Sequence, residues 1–473
     1  MVYVRGNKED YEGWVQDYGA TGWSYNDVLP YFKEIETFYV PEYAHNGYHG
    51  NNGEVSVGHA PFHTPSSDAF LAGMAELGYQ YVDYNGPTQM GYSRVQLNIK
   101  DGRRVSAAKA FILPIVNQRP NLHVTLKSLV TKIAFDEKHA VGVHFERLGA
   151  SHFVQATREV ILSAGALNSP QLLMLSGIGP KAHLEALKIP VLADLPVGQN
   201  LQDHLYIGGL AATLEDDVDL DPYDPTAIPV YCASGDGPYS VPVGIEGIAF
   251  IRTPISNSTP GHPDGQFLFF AISPASVPGE LFHKAIGYKD EVYDKYYLPN
   301  RGQPGIQVAG CINNIKSRGE IRLQSKNPSD PPIFDPRYFS DPDDVRTAIQ
   351  VAREALQVLQ SDAMKDLGAR LWDIPLPGCE DRSMYSDEYL ECVIRHLTHT
   401  EWHYGGTCAM GSHDASVVDP RLRVRGVSGL RVIDASVMPV LTTGNINAPT
   451  MMIGAKGAAM VLEDNRLTDD DLC

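Results

Sequence analysis

EVILSAGALNSPQLLMLSGIG, residues Glu159–Gly179, is the stretch on which the fold turns. Val160, Ile161 and Leu162 form an apolar run of the length of a short buried strand, and the small residues Ala164 to Ala166 read as a tight turn. Asn168 or Ser169 then offers a helix cap with Pro170 in the first turn, and Ser176, Gly177 and Gly179 stop the helix after Leu175. Strand, turn and helix in this order predict one unit of an α/β lobe.

Before this unit, VTLKSLVTKIAFDEKHAVGVHF (124–145) is rich in branched residues around a polar turn at Asp136 to His139, which predicts a hairpin or meander. After it, a second helix from Pro180 to Leu187 leads into DLPVGQNLQDHL (194–205). Nearer the start, GWSYNDVLPYFKEIE (22–36) predicts a short helix beginning after Asn26 or Asp27, with Val28, Leu29, Tyr31 and Phe32 on its buried face. Residues 206–310 are dominated by Pro, Gly and aromatics and predict sheet and long loops, with strands at GIEGIAFIRT (244–253) and GQFLFFAIS (265–273). SRGEIRLQS (317–325) predicts another strand. DPDDVRTAIQVAREALQVLQS (341–361) is the clearest helix, capped by Asp341 with Pro342 first, and its apolar face (Val345, Ala348, Ile349, Ala352, Leu356, Leu359) is core.

At 473 residues the chain is too long for one ordinary core and predicts roughly two or three lobes. The formal charge of -19 repels nucleic acid phosphates and offers no polybasic surface for anionic lipid, so neither is an expected partner. No stretch approaches the roughly 18 apolar residues of a membrane helix. Six cysteines are too few and too scattered for a disulfide scaffold, which favours thiols; Cys379 and Cys392 are the best candidate pair, and bridging them would favour an oxidising, secreted context.

Two stretches carry a family resemblance. GALNSPQLLMLSGIG (165–179) is one; the other is the C-terminal succession HYGGTCAMG (403–411), GVSGLRVIDASVMP (426–439) and TTGNINAPTMMIGAKGA (442–458). Together with DLPVGQNLQDH, SRGEIRL and NPSDPPIFDPRYFSDPDD (327–344), they make the chain similar over nearly its whole length to the glucose-methanol-choline (GMC) oxidoreductases, and to arthropod members related to glucose dehydrogenase. The family places a strand, GxGxxG and helix unit, then a flavin loop rich in Gly and Ser, before a segment resembling MVYVRGNKEDYEGW. Here that segment begins at Met1, and GxGxxG does not occur in the sequence. The resemblance implies an α/β, mixed α+β fold: an FAD-binding lobe of GMC type, N-terminally incomplete, from 1–30, 106–205 and 396–463, and a substrate lobe with an antiparallel sheet flanked by helices from 31–105 and 206–395, with 464–473 as a tail. The activity implied is hydride transfer from the CH–OH group of an alcohol, sugar or polyol to FAD, with a quinone or oxygen as electron acceptor. A flavin-free paralogue or fragment serving as a binding or structural module is the alternative.

Oxidising an alcohol requires one group to take the hydroxyl proton and another to hold the oxygen while a hydride leaves carbon. His403 resembles the family's active-site histidine, and imidazole suits a base near neutral pH; Gly405 and Gly406 behind it allow close backbone approach. Without the motif, a satisfied core histidine would be the preferred reading. Asn447 resembles the second active-site position, where an amide could donate to the substrate oxygen. Read from its neighbours alone, Asn447 caps a helix that enters through Pro449, whose positive end would favour a reduced, anionic flavin by about 1 kcal/mol. By resemblance, Val130, Trp402, Asp434, Ala435, Asn445, Pro449 and Thr450 are expected to contact FAD. His396, His399 and His403 share helical spacing, but Glu401 between them breaks HExxH and no metal is expected; GVSGL likewise lacks the GxSxG of a serine hydrolase.

Overall fold

A computed structural model describes residues 1–215, 218, 220–221, 224–275 and 283–465. The proposed tail beyond Asn465 and part of the loop-rich 206–310 segment lie outside these residues.

The first lobe opens with helices α1 (Lys8–Tyr18) and α2 (Tyr25–Ile35). Ser24, not Asn26 or Asp27, caps α2. Its side chain accepts from the Asp27 N–H while the Asp27 carboxylate accepts from the Ser24 N–H, so the expected cap residue serves as the third position of a capping box. The segment around 124–145 is a meander of β1 (Ser128–Asp136), β2 (His139–Arg147) and β3 (Ala150–Gln155), with the turn where the sequence predicts it. Next come β4 (Val160–Leu162) and α3 (Gly165–Leu175), and β4 pairs in parallel with the distant strand Leu430–Val432.

Helix α3 begins three residues before the expected cap, because its cap is tertiary. The carboxylate of Asp434, just beyond Leu430–Val432, accepts from the Gly165 N–H at 3.0 Å and the Ser169 hydroxyl at 2.6 Å. This occupies Ser169 and satisfies a first-turn N–H that no local side chain reaches. Pro170 then falls inside the helix, where it cannot donate to the carbonyl of Ala166. The Thr407 hydroxyl, from HYGGTCAMG, takes that carbonyl at 2.7 Å. The two stretches of the sequence are thus joined by the Asp434 bonds to Gly165 and Ser169 and by the Thr407 bond to Ala166.

The second lobe is built on an antiparallel sheet of eight strands among the described residues. Its central run is β7 (Ile245–Ile251), β8 (Gly265–Phe270) and β9 (Gly305–Ile312), with β5 (Leu205–Ile207) and β6 (Ala211–Thr213) also on β9. Strands β10 (Arg370–Leu371) and β11 (His399–Thr400) pair with β6 and β5, and Gly91–Arg94 pairs with β7. One face packs on α4 (Pro342–Leu359), capped by Asp341 as the sequence predicts. Of its expected apolar face Val345, Ala348, Ala352, Leu356 and Leu359 are buried and Ile349 is partly buried, and Val351 and Ala355, outside that expected face, are buried with them. The other face carries Tyr206, Leu268, Phe270, Ala309 and Cys311 in a separate cluster with Val2, Leu97 and Phe250. The first lobe's core also takes in Phe32, Ile35, Phe38, Val40, Val55 and Val57, which the sequence division assigns to the substrate lobe. Cys379 and Cys392 are bridged beside α5 (Asp387–Leu397), whereas Cys311 and Cys408 are buried thiols and Cys232 an exposed one.

Candidate active site

His403 sits where the two lobes are stitched by a bulged ladder. Leu205 pairs with Thr400, and Gln202 with Gly405. Between these rungs Asp203 and His204 face the longer run Glu401, Trp402, His403 and Tyr404, so the longer side must loop out and turn its side chains away from the ladder. Trp402 takes the strain: its φ is +57°, a left-handed conformation unusual for a large side chain, and its indole is half exposed. The main-chain N–H of His403 is held by the Asp203 carboxylate at 2.9 Å. Gly406, at φ +85°, lies so close to the opposite strand that a Cβ would stand 2.4 Å from the Asn200 carbonyl, which is why this position takes glycine.

Both ring nitrogens of His403 are engaged. Nε2 lies 3.3 Å from the Asn445 amide nitrogen, and Nδ1 lies 3.2 Å from Nδ1 of His204 and 3.5 Å from the Glu401 carboxylate. An amide N–H pointing at Nε2 requires a lone pair there, so the imidazole proton belongs on Nδ1. Burial, and then the adjacent His204, hold His403 well below the ordinary imidazole value. Burial also pushes His204 down to about 4. The same desolvation raises Glu401 to about 7 and Asp203 to about 6. The site therefore keeps its base uncharged near neutral pH.

Asn445 is set by its own chain and by the sheet. The Thr443 N–H and hydroxyl donate to Asp10 at 2.7 and 2.8 Å, and the Gly444 N–H donates to Asn313 at 3.0 Å. Gln266 of β8 then donates to the Asn445 carbonyl oxygen at 3.0 Å, leaving its NH2 toward His403. Asn447 does not cap a helix as its sequence neighbours predict. It is the first residue of α6 (Asn447–Asp464), Ile446 occupies the cap position, and no side chain caps this end. Its amide nitrogen instead donates to Asn98 at 2.5 Å, because a half-buried amide beside a buried acceptor gains more there than at an open helix end. Pro449 and Thr450 do lie in the first turn of α6, and the Thr450 hydroxyl returns to the Ile446 carbonyl.

Of the remaining expected contacts, Val130 lines a separate cleft of about 370 Å³ together with Gly142, Val143, Ser163, Ala164 and Leu172. It opens beside the carboxyl end of β4, the end at which parallel α/β units bind ligands. Gly165, at φ +82°, has no atom within 4 Å of where a Cβ would stand. Asp434 spends its carboxylate on Gly165, Ser169 and Ser436, so only its backbone is left for a ligand, and Ala435 is buried beside it. His396 and His399 each bond a main-chain carbonyl, at 2.8 and 2.9 Å, and His399 stacks on Tyr206. Asn98, His204 and Gln266 are the members that sequence reading missed. Only the Asp203–His204 pair, a charged and a titratable residue placed directly before an apolar strand, carried a local signal.

Family models described as GMC oxidoreductase match residues 1–206 and 316–454. The chain is 36% identical over 468 residues to a glucose dehydrogenase [FAD, quinone] of Drosophila pseudoobscura pseudoobscura, covering 98% of this chain and 72% of that protein. It is 37% identical over 499 residues to the mitochondrial choline dehydrogenase of Homo sapiens, covering 100% of this chain and 75% of that one. Among solved structures, pyridoxine 4-oxidase from Mesorbium loti superposes with a TM-score of 0.82 at 28% identity, over 98% of this chain and 82% of that one.

Proposed function

This chain belongs to the GMC oxidoreductase family and is an FAD-dependent oxidoreductase acting on CH–OH groups, and we infer that His403 is its base and that Asn445 and Asn447 hold the substrate oxygen. The observation that carries the assignment is the uncharged, largely buried His403 with its Nε2 lone pair facing an amide that the sheet holds in place. The substrate hydroxyl takes up the Nε2 lone pair that Asn445 covers in the free protein, and its proton passes to that nitrogen. Amide N–H groups of Asn445 and Asn447 then stabilise the negative charge on oxygen. Asn98 fixes one N–H of Asn447, so the other is aimed.

The residues present fit FAD in two places: the cleft beside Val130 and Ser163–Gly165 for its adenine and phosphate portion, and the face between Trp402 and the first turn of α6 for its ring. When bound, FAD supplies the acceptor for the substrate hydride. The lobes expected from the sequence are retained in this proposal, with residues 32–57 moved to the FAD lobe on the strength of their shared core. A glucose dehydrogenase-like reaction, with a sugar or polyol as donor and a quinone or oxygen as acceptor, is one candidate within this activity; choline is another, since the two relatives are equally similar.

The test is the visible spectrum of the purified protein after loading with FAD and removal of free ligand. Bleaching of the flavin band by an added alcohol, lost in His403→Ala while the flavin is retained, is expected. Bleaching that survives in His403→Ala would remove His403 from the role of base.

A further inference from the structure

The sheet face next to the reaction site continues into a cavity that has no role in the chemistry above. Gln266, Cys311 and Tyr206 stand in one row across β8, β9 and β5, by the registers Gln266 with Cys311 and Tyr206 with Cys311. Gln266 ends at Asn445, and so this row borders His403. Four residues along the same strands, Phe270 pairs with Gln307 in a second row. At the rise of a β-strand the rows are about 13 Å apart, and their side chains share a face. A cavity of about 350 Å³ lies against this face, lined by Tyr206 from the first row and by Phe270 and Gln307 from the second. It is more than twice the size of the ~150 Å³ space that benzene fills in an apolar core.

The walls are chemically one-sided. Leu220, Val241, Val243 and Ile272 close the cavity over Phe270. Val243 is the most telling of them. It sits at φ +55°, where a β-branched residue is strained and Asn or Gly would be at ease, and 62% of its surface is exposed. Neither backbone geometry nor core burial accounts for an apolar side chain at that point; a ligand on the other side of it does. With no carboxylate among the described residues and with Arg104 as its only charge, the lining offers a cation nothing beyond the ring faces of Tyr206, Tyr239 and Phe270, and it would strip the water from several sugar hydroxyls while returning few partners. One buried polar atom does lack a partner among the described residues, the hydroxyl of Tyr206.

We propose that this cavity binds the non-reacting part of the substrate, and that the substrate is a neutral alcohol with an aromatic or medium-chain aliphatic arm, not a sugar or a quaternary amine. The arm lies on Phe270 between Val243 and Ile272, and the carbinol end reaches the row that borders His403. A single polar atom on the arm is accommodated at Tyr206. The inference rests on the oxidoreductase reading of His403 but concerns a different set of residues.

The test uses the FAD-loaded protein with benzyl alcohol, 1-octanol, D-glucose and choline chloride, reading equilibrium dissociation constants by calorimetry alongside oxidation rates. Val243→Asp places a charge on the wall at a position where Asp suits the backbone, and Ile272→Asn is a second variant in the same lining. Benzyl alcohol or octanol is expected to bind more tightly than glucose and choline, and either variant should weaken that binding about tenfold or more. Preferential binding of glucose or choline, or apolar binding indifferent to both variants, would overturn the assignment. Binding that follows the prediction without oxidation would uphold the cavity and refute the oxidoreductase reading, whereas oxidation of glucose or choline alone would do the reverse.

Discussion

Replacing Thr407 by Val removes a hydroxyl and almost nothing else, and the structure says what that hydroxyl does. Pro170 stands inside α3 and leaves the carbonyl of Ala166 without its helical N–H. The Thr407 hydroxyl supplies the missing donor at 2.7 Å, and both Thr407 and Ala166 are buried from water. Thr407→Val therefore strands a buried carbonyl, a loss of about 1–3 kcal/mol. With a urea dependence of about 3 kcal/mol per molar, the unfolding midpoint falls by roughly 0.3–1 M. Tryptophan fluorescence reports it, because Trp14 and Trp23 lie in the same core as Leu172 and Leu173 of α3. The decisive comparison is made in Pro170→Ala, where residue 170 regains an N–H that can reach Ala166. There Thr407→Val should cost no more than about 0.5 kcal/mol, the level at which independent sites add. Equal losses in the two backgrounds would refute the compensation of Pro170 by Thr407.

Three further outcomes follow from the site and its surroundings. Asp203 and Glu401 are raised by burial from 3.8 to about 6 and from 4.5 to about 7, so their contribution to stability is complete below the unfolded values and lost as pH rises through the folded ones. Glu401→Gln should accordingly show a smaller fall in Tm between pH 5 and pH 8 than the parent protein; an unchanged fall would mean that Glu401 is not buried in its neutral form. Asn98→Ala should lower kcat/KM about 10- to 100-fold by releasing the Asn447 amide, while Asn98→Asp, which keeps the acceptor, recovers part of the loss; equal activity in the two variants would make Asn98 merely structural. Replacing Cys379 and Cys392 together by Ser opens a loop of sequence separation 13 and should cost about 3 kcal/mol, read by scanning calorimetry, with no change in Tm counting against the bridge.

Much of the fold was legible because it is written in short-range rules. The long helix α4 shows its cap, its first-turn proline and its apolar stripe within one stretch of sequence, and it folds as that stretch reads. The β1–β2 turn and strands β7 and β8 are equally local, since branched residues bounded by turn formers need no distant partner to be recognised. The cap of α3 was misread for the opposite reason: Asp434, which supplies it, is separated from Ser169 by 265 positions. At Asn447 a local rule and a tertiary one competed, and the buried acceptor of Asn98, 349 positions away, won over the helix end.

The amino-acid sequence by itself determined the strand, turn and helix at 159–179, the family to which the chain belongs, and His403 as the residue to watch, because each is carried by a motif whose spacing is fixed along the chain. Only the tertiary structure decided how that histidine is armed. The unequal pairing of 203–204 against 401–404 turns its ring out of the ladder, Gln266 and Asn98 orient the two asparagines, and burial by the surrounding sheet sets its charge. Those are properties of desolvation and of contacts between distant segments, and they come into being when the two lobes close on one another.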